Sequence, residues 1–155
     1  MILNNLIHGI NTVNITGDVQ VSVAGIQTDS RQVADKHLFI AVRGTQVDGH
    51  RYIDSAIRQG ATAIVCETMP EQLSDGITYI QVENTEAVVG QIAAAFYGYP
   101  TTKLKLVGVT GTNGKTTIAT TLYNIFRQLG HKAGLISTVV NYIDGQAIPT
   151  EHTTP

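Results

Sequence analysis

Val107-Gly-Val-Thr-Gly-Thr-Asn-Gly-Lys-Thr-Thr117 is the stretch of this 155-residue chain that decides its fold. It reads as an apolar strand, a glycine-rich loop, and then a lysine and two threonines opening a helix. Glycine tolerates the positive φ angles that turn successive N–H groups into one concavity, and the start of the next helix adds partial positive charge. A nest of that kind holds phosphates, with the lysine reaching the outer phosphates and the first hydroxyl holding magnesium. The standard pattern, however, is glycine, four residues, then Gly-Lys-Ser/Thr. Counting back from Gly114 puts Val109 at the first-glycine place, flanked by Gly108 and Gly111. The loop is therefore a variant. Its bland alternative is a glycine-rich strand-to-helix turn carrying an exposed lysine.

Working outward, the C-terminal block opens with a predicted strand at Leu104–Val109, followed by the loop and a helix from Lys115 to Leu129. Gly130 is a natural C-cap, and Ala133–Ile136 reads as a return strand. Together they predict one βαβ unit, right-handed and parallel. Thr138–Ile143 and Gln146–Ile148 flank Asp144-Gly145, a strong signal for a tight hairpin turn. One βαβ unit and a hairpin cannot cover both faces of a nucleotide-binding sheet. The expectation is the truncated start of a larger nucleotide-binding domain.

The N-terminal block carries strand-like runs at Val23–Thr28, His37–Val42, Thr62–Glu67 and Thr78–Val82, punctuated by Gly25, Gly44, Gly60 and Gly76. Tyr52, Ile53, Ala56 and Ile57 share one face of a helix ending before Gly60. A second helix is predicted from about Thr85 to Tyr97, with Asn84 as N-cap and Glu86 placed favourably against the helix dipole. Gly98-Tyr-Pro-Thr-Thr102 then breaks the pattern as a linker. The fold class is α/β in both blocks, with a boundary expected between 1–98 and 99–155.

Composition narrows the classes of function. Hydrophobic residues make up 43% and charged residues 14%, the profile of a globular protein. The net charge of -2 gives no electrostatic ground for nucleic-acid or membrane-surface binding. No apolar run approaches a membrane span, and no signal segment opens the chain, so the cytoplasm is expected. The lone cysteine, Cys66, sits in the apolar run Ala63–Cys66 and reads as a small buried hydrophobe. The five histidines, at 8, 37, 50, 131 and 152, lack metal-ligand spacing. Lys103, Lys105, Lys132 and His131 fall near element ends, where solvated charge is ordinary.

The loop Thr110-Gly-Thr-Asn-Gly-Lys-Thr-Thr117 resembles that of the Mur ligase and folylpolyglutamate synthetase superfamily. Thr28-Asp-Ser-Arg31, Leu38-Phe-Ile-Ala-Val-Arg-Gly44, Asp48-Gly-His-Arg-Tyr-Ile53 and Gly60-Ala-Thr-Ala-Ile64 are similar, in the same order, to the N-terminal domain of E- and F-type Mur ligases. Gly130-His-Lys-Ala-Gly-Leu-Ile136 and Thr153-Thr-Pro155 favour the E-type, tripeptide-synthetase branch; the F-type more often has serine where Thr112 stands. Ser137-Thr138, where many relatives have Gly-Thr, and His152, where some carry asparagine, depart from the pattern.

The resemblance implies an ATP-dependent amide ligase of peptidoglycan precursor synthesis, serving cell-wall biogenesis, cell shape and division. Its substrates would be UDP-N-acetylmuramoyl-L-alanyl-D-glutamate and a diamino acid, meso-diaminopimelate or L-lysine, joined through an acyl phosphate. It places Gly111, Thr112, Asn113, Gly114, Lys115, Thr116 and Thr117 on the ATP phosphates, with Lys115 catalytic and Thr116 on Mg2+. Ser30 is implied at the uridine end, and Thr153 and Thr154 at the muramoyl-peptide portion. Such an enzyme brings a carboxylate against a γ-phosphate, so cations and backbone dipoles must carry the catalysis. The alternatives are another ligase of the superfamily, of F type, and a non-catalytic UDP-sugar or nucleotide-binding module. Later ligands and an amino-acid-selecting domain find no counterpart in these residues, so the piece is expected to be inactive alone. Thr28-Asp-Ser-Arg31 also has a plain reading as an Asp/Ser-stabilised turn, and Asp48-Gly49-His50 as a turn and cap.

Overall fold

The computed structural model describes residues 1–44 and 47–149, with the side chain of Pro149 outside that description. The chain divides into two compact units, Met1–Leu104 and Lys105–Pro155. The first contains α1 (Leu3–Ile7), β1 (Thr12–Thr16), β2 (Gly25–Gln27), β3 (His37–Ile40), α2 (Ile53–Arg58), β4 (Ala61–Cys66), β5 (Thr78–Val82) and α3 (Thr85–Phe96). Short 3-10 turns at Ser30–Gln32, Gly49–Tyr52 and Pro100–Lys103 join or follow them.

The sheet order is β1-β5-β4-β3-β2. β2, β3, β4 and β5 run parallel, and β1 closes one edge antiparallel to β5. Because strand side chains alternate, each central strand feeds two cores. Leu38, Ile40, Ala63, Val65, Ile80 and Val82 face one way, buried with Leu3 and Leu6 of α1 and Val88, Ile92 and Ala95 of α3. Phe39, Ala41, Ile64, Cys66 and Tyr79 face the other way, packed with Ile53 and Ala56 of α2. Burial on both faces explains why β4 (Ala61-Thr-Ala-Ile-Val-Cys66) reads as a nearly continuous apolar run.

The predicted strands and both helices of this unit form, and Asn84 caps α3 as expected: its Oδ1 accepts from the Ala87 N–H at 3.0 Å. Two elements went unread. α1 is only five residues long, and β1 is an edge strand exposed along its whole length, so neither carries a burial period.

The second unit holds α4 (Lys115–Gln128) and the hairpin β6 (Val140–Ile143) and β7 (Gln146–Pro149). Asp144 and Gly145 both have positive φ, 51° and 83°, the turn the Asp-Gly pair predicts. A Cβ at Gly145 would lie 2.9 Å from Nη2 of Arg127, so α4 closes over the turn. Gly130 ends α4: its N–H donates to the Arg127 carbonyl at 3.0 Å and the His131 N–H to the Phe126 carbonyl at 3.0 Å.

One expectation is corrected here. No ladder joins Leu104–Val109 to Ala133–Ile136 among the described residues, so the parallel pairing of the βαβ unit is not made. Leu135 instead exchanges two hydrogen bonds with Tyr142, at 2.9 and 2.8 Å. That local antiparallel bridge closes a short loop and uses the backbone groups of Leu135, while Leu106 and Val107 stay 77% and 64% exposed.

Candidate functional site

The glycine-rich loop carries a positive φ at two of its glycines. Gly111 has φ 145° and Gly114 φ 76°, conformations that side-chain-bearing residues rarely adopt. Nothing lies within 3.7 Å of a Cβ built at either position; the nearest atoms are at 3.8 and 3.9 Å. Backbone conformation, not crowding, therefore demands glycine there. Gly114 is the N-cap of α4, and no side chain among the described residues caps that end. The first N–H groups of a 14-residue helix thus face an exposed loop, where an anion is the natural acceptor.

Lys115 folds back over this loop, its Nζ donating to the Gly111 carbonyl and, at 3.4 Å, to that of Thr112. Among the described residues the ammonium is held by neutral carbonyl oxygens and no carboxylate, so a phosphate oxygen is a stronger acceptor for it. Thr112, Asn113 and Thr117 are exposed and Thr116 is half-buried. Thr116 offers one hydroxyl oxygen. Among the described residues no three His, Cys, Asp or Glu side chains gather to hold a metal ion. A magnesium ion at Thr116 would therefore lean on phosphate oxygens and water, its usual habit beside nucleotides. Thr153 and Thr154, and His152 beside them, lie outside the described residues.

In the first unit the predicted residue Ser30 opens a 3-10 turn just past the carboxyl end of β2, and is buried. Asp29 shapes this turn: its Oδ1 accepts from the Arg31 N–H at 2.9 Å, and its carboxylate takes a two-pronged ion pair from the Arg31 guanidinium. The Ser30 carbonyl accepts from Nε2 of Gln59 at 2.7 Å.

Neighbouring strand ends carry a polar network that sequence reasoning missed. Glu67 follows β4; its Oε1 accepts from both the N–H and the hydroxyl of Thr85, each at 2.9 Å. The backbone N–H of Thr85, against the cost of burial, keeps the Glu67 carboxyl below its ordinary range. Arg43 Nε lies 3.7 Å from Glu67 Oε2 and 3.5 Å from Asp48 Oδ2. Asp48 Oδ1 accepts from the His50 N–H at 3.0 Å, and that bond first of all lowers the Asp48 carboxyl. His50 Nδ1 sits 2.6 Å from Asp48 Oδ1, and its Nε2 accepts from the Glu67 N–H at 2.8 Å. An Nε2 that accepts assigns the ring proton to Nδ1. Both nitrogens are used, so His50 is a structural clamp and the turn-and-cap reading stands. The faint signal for this network was a polar residue soon after each strand: Arg43 after β3, Glu67 directly after β4 and Thr85 at the start of α3. Two clefts of the first unit, about 510 Å³ beside Ile10–Val13 and about 290 Å³ beside His50 and Met69, contain none of the predicted site residues.

Comparison with known proteins now bears on both units. The family described as "Mur ligase family, catalytic domain" matches residues 22–97, and "Mur ligase middle domain" matches 109–155. The chain belongs to the Mur ligase family. Among its relatives, the UDP-N-acetylmuramoyl-L-alanyl-D-glutamate–2,6-diaminopimelate ligase of Bacteroides thetaiotaomicron is 61% identical over all 155 residues, which is 32% of that protein. A solved structure of a ligase of the same name superposes with a TM-score of 0.72 over 100% of this chain and 31% of its own, at 22% identity, a likeness of fold. The F-type Mur ligase of Thermotoga maritima in complex with ADP is 33% identical, with a TM-score of 0.52 over 66% of this chain and 23% of its own. The chain thus spans about a third of the length of the curated Mur ligases it matches. No helix among the described residues is long and apolar enough to cross a membrane.

Proposed function

We propose that this chain provides the UDP-substrate-binding domain, residues 1–98, and the opening of the central ATP-binding domain, residues 99–155, of a cytoplasmic Mur ligase. That ligase adds 2,6-diaminopimelate to UDP-N-acetylmuramoyl-L-alanyl-D-glutamate. The observation that carries the reading is the uncapped start of α4 behind Gly111–Gly114, with Lys115 over the loop. The 61% identity to a ligase of that name over all 155 residues supports the choice of substrates.

ATP supplies a phosphoryl group that turns the glutamyl carboxylate into an acyl phosphate open to attack by an amine. The chain's own part is electrostatic. The N–H groups of Gly111, Thr112, Asn113, Gly114 and Lys115 receive phosphate oxygens. Lys115 leaves its carbonyl partners to follow the negative charge, and Thr116 holds Mg2+ with Thr117 beside it. Ser30 sits at the uridine end, and Thr153 and Thr154 contact the muramoyl-peptide. The partners are these small molecules, with no nucleic acid and no membrane.

Calorimetric titration with UDP-N-acetylmuramoyl-L-alanyl-D-glutamate, for the natural chain and for Ser30→Ala, tests this. Binding that the substitution weakens supports a UDP-substrate site on the first unit. A folded chain that takes up neither this ligand nor ATP sinks the proposal.

A further inference from the structure

We propose that Gln59 is the positioning residue of Ser30, and this rests on the reading that Ser30 meets the UDP end of the substrate. Ser30 lies in a three-residue 3-10 turn that ends on buried Val33, whose N–H donates to the Ser30 carbonyl at 3.4 Å. Asp29 and Arg31 brace the turn from within, through contacts that span two residues. A long-range bond reaches the turn: Nε2 of Gln59 donates to the Ser30 carbonyl at 2.7 Å, across 29 residues of sequence.

The base of the Gln59 side chain is unusually well fixed. Its own N–H ends α2 on the carbonyls of Ser55 and Ala56, both at 3.2 Å. Gly60 follows with φ 106°, and a Cβ there would come within 2.9 Å of the Asp35 backbone. The Gly60 carbonyl accepts from the Lys36 N–H at 2.9 Å, one residue before β3. At the other end of the same segment, His50 locks the 3-10 turn that leads into α2 to the exit of β4, through the Glu67 N–H. The segment 49–60 is therefore pinned at both ends to neighbouring strands of the sheet. Gln59 is the arm it extends to the turn after β2. In parallel α/β sheets ligands gather outside the carboxyl ends of the strands, which is where Ser30 stands. A side chain that sets Ser30 without reaching the ligand controls affinity through geometry.

Gln59→Met keeps the length of the side chain and removes the donor. The measurements are the thermal midpoint, the carbonyl 13C resonance of Ser30, and calorimetric affinity for UDP-N-acetylmuramoyl-L-alanyl-D-glutamate. They are made on the natural chain, Gln59→Met, Ser30→Ala and the double variant. The expected result is a folded Gln59→Met chain whose Ser30 carbonyl resonance moves and whose affinity falls about tenfold. The double variant should bind no worse than Ser30→Ala, because Gln59 acts only through Ser30. Losses that add, or an affinity unchanged by Gln59→Met, overturn the proposal. If the natural chain binds no ligand, the substrate reading of Ser30 fails. The carbonyl resonance then still decides the positioning, which an unmoved signal overturns.

Discussion

Lys115 shows how much a single residue's surroundings say about its use. An ammonium resting on two carbonyls of its own loop has exchanged little of its hydration for charge, and is ready to change partners. Lys115→Ala should therefore leave the thermal midpoint within a few degrees of the natural chain while weakening ATP binding at least tenfold, as loss of a charge-assisted bond of about 1.5–3 kcal/mol requires. Titration of both proteins with ATP and Mg2+ checks it; equal affinities would remove Lys115 from the phosphate site. Cys66 makes the opposite case. It is fully buried, and burial pushes its thiol up to about 11. The thiolate is the reactive form, so the folded chain should resist alkylation at neutral pH and react only on unfolding. Mass spectrometry after an iodoacetamide pulse, with and without denaturant, reads this directly, and rapid labelling of the folded chain would contradict the burial.

At the scale of elements, the joint between β4 and α3 depends on one carboxylate. Glu67 receives the N–H and hydroxyl of Thr85, which stands first in α3, and Gln81 Nε2 donates to its carbonyl at 3.0 Å. The folded-state carboxyl of Glu67 is lowered, so it contributes stability that is present above the unfolded carboxylate range near 4.5 and is lost as pH falls through the folded value. Asp48, lowered by the His50 N–H, acts in the same direction. Glu67→Gln should flatten the fall in thermal midpoint between pH 5 and 3, a window of about two units. An unchanged acid limb would shift the cause to other groups. The caps of α3 and α4 were legible in sequence because capping is local: Asn84 and Gly130 act on residues within four of themselves. His50, Glu67 and Gln59 were not legible as partners, because their bonds span 17, 18 and 29 residues and no local pattern encodes such distances.

Across the whole chain, the two units differ in how much each can bury, and this also marks where sequence reading failed. The strands β3, β4 and β5 of the first unit announced themselves because they are buried on both faces, giving apolar runs. The strand foreseen at Leu104–Val109 carries the same signal, yet with no partner strand among the described residues Leu104, Leu106 and Val107 lie in water. Hydrophobic pattern reports what a segment is suited to pair with; it does not supply the partner. Among the described residues of the second unit, only Tyr123, Leu135 and Ser137 are buried, with Tyr123 stacked on Tyr142 at 5.1 Å between ring centres. Stability of the first unit should accordingly be cooperative and that of the second marginal, since few buried groups oppose the entropy of the chain. Amide hydrogen exchange should find β3, β4 and β5 protected to the limit of global unfolding, and α4 exchanging faster by at least a hundredfold, about 2.7 kcal/mol in opening free energy. With α4 that loosely held, the loop before it presents phosphate-binding groups on a mobile support, and catalysis needs such groups fixed before the reaction begins. The chain alone should then release no ADP from ATP in the presence of UDP-N-acetylmuramoyl-L-alanyl-D-glutamate and diaminopimelate. Equal protection of α4 and β4, or turnover by the isolated chain, would show that the second unit is a finished catalytic support in these 155 residues.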